Sequence, residues 1–387
     1  MTYQETTSVS WFGRIRRSLG GMLFGLLLIV AMVVLLFWNE GRAVQTARSL
    51  AEGAGLVTSV EAGSVDVAHD GALVHVSGPL STGERLSDPD FGVEATGVRL
   101  VRTAEMYQWV ETSKSETRTK TGGGEETVTT YSYEMGWSDR PHDSANFKQP
   151  QGHGNPGMEV RGERFQIGAA TLGAFTLGER VLSMVGGGAE LRLTAAQAGA
   201  IQSAVGAGIR ASISGGRIYL GPDPAEPRIG DYRIGYELVP LQTISVVGRQ
   251  AGSGIEPYQT RAGDALLMVA EGPVPARQMF DDALSANTVV TWLVRIVGLV
   301  FLIAGFSLLM GVLGVVGHII PFVGSIVRMG TGIIAAFAGI LLGTAVIALA
   351  WFWYRPVIAL AILAAGIVLA YGVTLLGRRK KVAAQAA

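Results

Sequence analysis

LGGMLFGLLLIVAMVVLLFW, residues 19–38, runs for twenty residues without a charge. A helix of that length covers ~30 Å at ~1.5 Å per residue, the hydrocarbon thickness of a bilayer. Three later stretches read the same way, at 289–316, 333–353 and 356–376. Between the first span and the second lies a long polar stretch, 39–288. The expected architecture is an α+β multi-pass membrane protein. It has four transmembrane helices, one N-terminal and three C-terminal, and a large β-rich extracytoplasmic domain between spans one and two. The remainder is a cytoplasmic N-terminal segment (1–18), an interfacial cytoplasmic-side loop (317–332) and a basic cytoplasmic tail (377–387).

Composition agrees with that layout. Hydrophobic residues are 49% of the 387 and charged residues 16%, against about 25% charged in an ordinary soluble domain. The formal net charge of zero hides an asymmetry. Residues 39–288 carry 30 acidic and 21 basic groups, a balance of −9, while Arg14, Arg16 and Arg17 precede the first span and Arg378, Arg379, Lys380 and Lys381 follow the last. Arg328 lies between spans two and three. The positive-inside rule therefore places both termini and the Arg328 loop in the cytoplasm and the polar domain outside, with Arg355 a minor exception. An even number of crossings gives the same answer. The first apolar run is too long for a signal-peptide core, and Trp38-Asn39-Glu40 is a poor cleavage site, so the span is expected to be retained. Arg outnumbers Lys 26 to 5, a bias that reads as a GC-rich bacterial genome and hence a bacterial inner membrane.

Along the chain, 39–55 continues the first span as a helical stalk that Gly53 and Gly55 end. Strands are expected at 73–77, at 98–111 and over the alternating Tyr232, Ile234, Tyr236 and Leu238, continuing through 242–249 and 264–271. Residues 112–137 read as a polar hairpin with its tip at Gly122–Gly124, and Lys114, Arg118 and Lys120 could face Glu125 and Glu126. Tyr131, Tyr133, Met135 and Trp137 share one face of its second arm. Residues 86–92 look like a loop, 171–185 and 194–209 like helices, and 275–287 like an amphipathic helix feeding span two. In the spans, small residues four apart, Gly21 and Gly25, Gly339 and Gly343, Gly366 and Ala370, permit close helix contact. They serve packing within one chain or association between copies. Arg295 is expected to snorkel to the outer boundary.

Chemistry is harder to find. There is no Gly-Lys-Ser/Thr phosphate loop, no Gly-x-Ser-x-Gly elbow and no His-Glu-x-x-His helix. The absence of cysteine excludes thiol catalysis and thiolate metal sites. His69 and His75 lack a carboxylate at ligand spacing, and Asp88 and Asp90 flank Pro89 as turn residues do. The C-terminal basic run suits lipid headgroups, not nucleic acid. No catalytic residue, cofactor or metal is expected.

Several runs resemble the transmembrane protein 43 family, also called LUMA: WNEGRAVQTARSLAEGAGLV (38–57), GALVHVSGPL (71–80), LSDPDFGV (86–93), VRLVRTAEMYQWVET (98–112), TYSYEMGW (130–137), NFKQPQGHGNP (146–156), RAGDALLM (261–268) and YRP (354–356). The most specific residues are Asn39, Glu40, Gly41 and Arg42, then Glu105, Tyr107, Gln108 and Trp109, with Tyr354, Arg355 and Pro356 after span three. The resemblance implies a non-enzymatic membrane organiser. Its eukaryotic members sit in the endoplasmic reticulum and inner nuclear membrane with lamins and emerin as partners; a bacterial relative would lack both. The function expected is a self-associating scaffold, a homo-oligomer in contact with membrane lipid that organises membrane or envelope protein complexes. The rival readings are an oligomeric pore and an extracytoplasmic ligand sensor.

Overall fold

A computed structural model describes residues 2–120, 124–317, 321–357 and 360. Span four, with Gly366 and Ala370, falls almost wholly outside these residues, as do the basic tail and the tip glycines Gly122 and Gly123. The chain forms two compact units. One comprises residues 1–7, 49–117 and 127–282; the other comprises 8–48, 118–126 and 283–387.

The first unit is β-rich, and its centre is a closed ring of five strands. Thr243–Ala251 pairs with Leu73–Ser81 and with Gly254–Glu256; the latter pairs in parallel with Phe175–Gly178, which pairs with Ala169–Leu172, which returns to Leu73–Ser81. Closure leaves no free edge within the ring. Val74, Val76, Leu172, Phe175, Leu177, Ile244 and Val246 are buried in its core. A second sheet runs Thr2–Val9, Glu125–Ser138, Arg99–Thr119, Tyr232–Val239, Arg217–Leu220 and Ala211–Ser214. Its last hairpin turns through Gly215 and Gly216 at φ +61° and +83°, a turn that needs two left-handed residues and matches the strand twist.

Two sequence expectations change here. Residues 171–185 are not one helix: two four-residue strands meet at a tight turn on Gly173, and only α2 (Glu179–Leu182) is helical, α1 being the long first helix below. A Cβ on Gly173 would lie 2.1 Å from the Ala62 carbonyl oxygen, so that turn admits no side chain. Residues 86–92 are not wholly loop, since Leu86–Asp88 pairs with Val93–Ala95. The region 194–209 holds a helical turn and then α3 (Ala198–Val205).

The second unit is built from α1 (Trp11–Leu56), α4 (Ala276–Gly317) and α5 (Pro321–Tyr354); α1 and α4 also run on into the β-rich unit. Each of the three contains a stretch long and apolar enough to cross a membrane. α1 continues through the expected stalk without a break, and α4 absorbs the amphipathic 275–287 segment. Residues 321–332, expected as part of an interfacial loop, belong to α5.

Glycines set the helix contacts. A Cβ on Gly25 would sit 2.7 Å from the Gly305 carbonyl oxygen, and one on Gly298 2.7 Å from Leu36. On α5, Gly339 meets Ile303 and Gly343 meets Leu299, at 2.8 and 2.4 Å from the same virtual position. Gly21 has ordinary contact with Leu308 at 3.8 Å. The small residues thus face the chain's own helices, where backbones approach to van der Waals distance.

Candidate functional site

The NEGR motif of α1 forms a polar node at the boundary of the spans. Asn287, Thr291 and Arg295 are four apart on α4 and so share one face. Asn39 and Glu40, 0% and 2% exposed, meet that face. The Glu40 carboxylate receives Arg295 through both oxygens, from Nε at 2.6 Å and Nη2 at 2.8 Å. Its Oε2 also accepts the Trp351 indole N–H from α5 at 2.9 Å. Arg42 donates to Asn287 Oδ1 at 3.0 Å, Thr291 Oγ1 at 3.2 Å and Asn39 Oδ1 at 3.3 Å. Two amides close the set: Asn39 Nδ2 donates to the Thr291 carbonyl at 3.2 Å and Asn287 Nδ2 to the Ala43 carbonyl at 3.0 Å. Gly41 makes room for Tyr354, whose ring a Cβ there would approach to 2.6 Å, and Arg48 donates to the Tyr354 carbonyl at 3.2 Å. Arg355 lies over the Trp351 ring at 5.7 Å.

Each member therefore has partners, as buried ions and amides require. Arg295 does not snorkel; it is fixed by Glu40 and flanked by Trp292 and Trp351, 4.8 and 5.8 Å from its guanidinium. Trp38, Trp292 and Trp353 are 58%, 57% and 73% exposed. Exposed indoles at the ends of apolar helices mark a membrane–water boundary. Asn287, Thr291 and Trp351 were not foreseen as members of a site. The i, i+4, i+8 row of polar residues entering an apolar span was the signal that could have found them.

The second group of motif residues lies in the β-rich unit. Gln108 is fully buried; its Nε2 donates to the Arg140 carbonyl at 2.8 Å and its Oε1 accepts from the His142 N–H at 2.9 Å. Asn155 bridges Trp109 by accepting from its N–H at 2.7 Å and donating to its carbonyl at 2.9 Å. His153 stacks on Tyr133 at 4.1 Å and meets Trp109 edge-on at 4.7 Å. Glu111 accepts from the Tyr133 hydroxyl and from the Lys148 N–H. The 142–158 loop is thus tied over the hairpin, and the aromatic face of the second arm is covered by its own chain at Tyr131 and Tyr133. Glu105 pairs with Arg233, whose hydrogen bond holds its carboxyl below the usual range against the opposing effect of burial. Tyr107 packs against Trp137 with ring centroids 5.2 Å apart and the planes tilted by 58°.

Asp88 of the DPDF motif is wholly buried and accepts from Arg102 at 2.7 Å and from the Tyr236 hydroxyl at 2.7 Å. Burial, and then the bond to Asp88, push the Tyr236 phenol well above its ordinary pKa. Arg102 also reaches Asp90 at 3.0 Å and Glu163 at 2.8 Å. The two aspartates hold one arginine and are not poised as an acid–base pair. His75 lies 2.9 Å from the Val274 carbonyl oxygen and 3.2 Å from the Ser59 hydroxyl. Among the described residues no group of three His, Asp or Glu is placed to hold a metal.

Apolar helices that carry a β-rich domain and are joined by a buried ionic node define an integral membrane protein with several candidate spans. The family model described as transmembrane protein 43 matches residues 106–356. The human transmembrane protein 43 is 33% identical over 361 residues, covering 90% of this chain and 88% of its own length. The mouse protein is 32% identical over 355 residues, covering 89% and 86%. The Drosophila melanogaster homolog is 30% identical over 360 residues, covering 89% and 91%. The chain belongs to the transmembrane protein 43 family. No solved structure matches it.

Proposed function

We propose that this chain is a non-enzymatic membrane scaffold that self-associates and organises other membrane or envelope proteins. The observation that carries the reading is the use made of the motif residues. Asn39, Glu40, Gly41 and Arg42 tie α1 to α4 and α5 and present no free reactive group to a substrate. A rigid helix frame bearing a folded domain suits a platform better than a catalyst. The described faces at Gly25, Gly339 and Gly343 are occupied within the chain, so copies would meet through other surfaces. Crosslinking in native membranes and mass measurement in native-lipid particles test this. Discrete oligomers are expected, and a monomer in both would overturn the association.

The proposed setting is a bacterial plasma membrane with both termini in the cytoplasm. Single cysteines replacing Gly123 and Ala384 would report it, because the native chain has none. Labelling of the first from outside, and of the second only after permeabilisation, is expected. One contact favours placing the hairpin tip on the same face as the N-terminal flank: Arg14, on the flank assigned to the cytoplasm, pairs with Glu125 beside the hairpin tip at 2.8 Å. An ion pair needs both groups on one face. Labelling of Gly123→Cys only after permeabilisation would decide for that alternative.

A further inference from the structure

The α4–α5 pair leaves a groove of about 490 Å³ between Trp292, Arg295 and Leu299 on one helix and Thr344, Ala348 and Trp351 on the other. Its shape follows from side-chain size. Gly343 brings the helices together at Leu299 and closes the lower end. Above it, Thr344 and Ala348 are too small to fill the gap. The two indoles and the guanidinium frame the mouth. The walls are apolar in effect, because the Thr344 hydroxyl donates to the Ile340 carbonyl of its own helix at 2.7 Å.

The mouth has an uneven hydrogen-bond inventory. Both Glu40 oxygens are occupied by Arg295, and Trp351 adds a third donor. Arg295 uses Nε and Nη2 in doing so, and its Nη1 has no acceptor among the described residues. The exposed Trp292 indole N–H likewise has none. Among the described residues the mouth therefore offers donors and no free acceptor. Glu40 neutralises Arg295, so the demand is for a neutral acceptor, not an anion.

We propose that this groove holds one acyl chain of a membrane glycerolipid, with an ester carbonyl accepting from Arg295 Nη1 and the Trp292 indole. The groove lies within segments fit to cross a bilayer, and exposed indoles place its mouth at the depth where ester carbonyls lie. A helix of a second copy would bring a backbone already hydrogen-bonded to itself and leave those donors unanswered. The inference is independent of scaffolding.

The test uses the full chain in phosphatidylcholine nanodiscs doped with phosphatidylcholine bearing a diazirine midway along one acyl chain. After irradiation, adducts are mapped by peptide mass. Adducts on Leu299, Ile347 and Ala348 are expected about fivefold above those on Leu26 and Leu27, which face outward on α1, a ratio of the size one net hydrogen bond gives. Ala348→Phe, which fills the groove, should bring them to the α1 level at unchanged melting temperature. Trp292→Phe, which keeps a ring and loses the donor, should lower them in part. Uniform adducts across both helices would overturn the proposal, as would adducts unchanged by Ala348→Phe. So would a cysteine at position 348 that crosslinks to a second copy or to a cysteine in 361–371.

Discussion

Glu40 accepts three hydrogen bonds in the helical node, two from Arg295 and one from Trp351. It is 2% exposed and Arg295 13%, so neither ion has water to fall back on if the other is removed. Losing one partner of a buried pair costs about 3–5 kcal/mol, mostly through the charge left behind. Glu40→Ala is accordingly expected to lose that much in detergent unfolding measurements, while Glu40→Ala paired with Arg295→Met recovers a large part of it. A milder group sets a pH limb. Arg233 depresses the Glu105 carboxyl below its unfolded value. Stabilisation from this pair is thus complete above the unfolded carboxyl pKa and is lost as pH falls through the depressed folded one. Glu105→Gln should flatten the acid side of a melting-temperature profile taken from pH 7 to pH 3; an unaltered profile would remove Glu105 from the account. At this scale the sequence was half legible. NEGR stood out as a motif, but its partners lie 245 to 311 residues away, and no local pattern connects Glu40 to Trp351. The Val-, Tyr- and Trp-rich run at 98–111 announced a strand, not that Gln108 and Trp109 would be bridged by backbone and amide groups of a loop 32 to 46 residues later.

Elements were readable in proportion to their length. α1, α4 and α5 repeat the apolar signal over many turns, and the strands at 99–119 and 232–239 are long enough to be recognised, the first by its Val, Tyr and Trp content and the second by alternation. The ring strands at 169–172 and 175–178 do not. Four residues contain two inward side chains, and Leu172, Phe175 and Leu177 fit a helix face as well as a strand pair until the tight turn at Gly173 is known. The small-residue pattern of the spans was legible as close packing but ambiguous about the partner, and the described glycines resolve it toward the chain itself. Gly25→Ala is expected to cost about 1–3 kcal/mol, since its Cβ meets a backbone oxygen that cannot rotate away. Gly20→Ala, with nothing within 4 Å of the new carbon, should stay within about 0.5 kcal/mol of the parent. Parallel thermal melts of the two variants separate packing from propensity: equal losses would mean that the α1–α4 contact at Gly25 does not hold.

For the whole molecule, sequence separation becomes elapsed time. Glu40 and Arg295 are 255 residues apart. At about 5–20 residues per second, synthesis reaches Arg295 roughly 13–50 s after Glu40. Throughout that interval the first helix is in place while Asn39, Glu40 and Arg42 lack their α4 and α5 partners, and a carboxylate at a bilayer boundary is the kind of exposed polarity that membrane proteases and chaperones can read. Completion of the node marks a finished chain. Pulse-chase of a chain stopped before residue 287 should show rapid degradation that Glu40→Leu slows, whereas in the full-length chain the same substitution should shorten lifetime. If both decay alike, the motif plays no part in proofreading. The pair that fastens the helices would also be a timer, open during translation and silent once the last spans arrive.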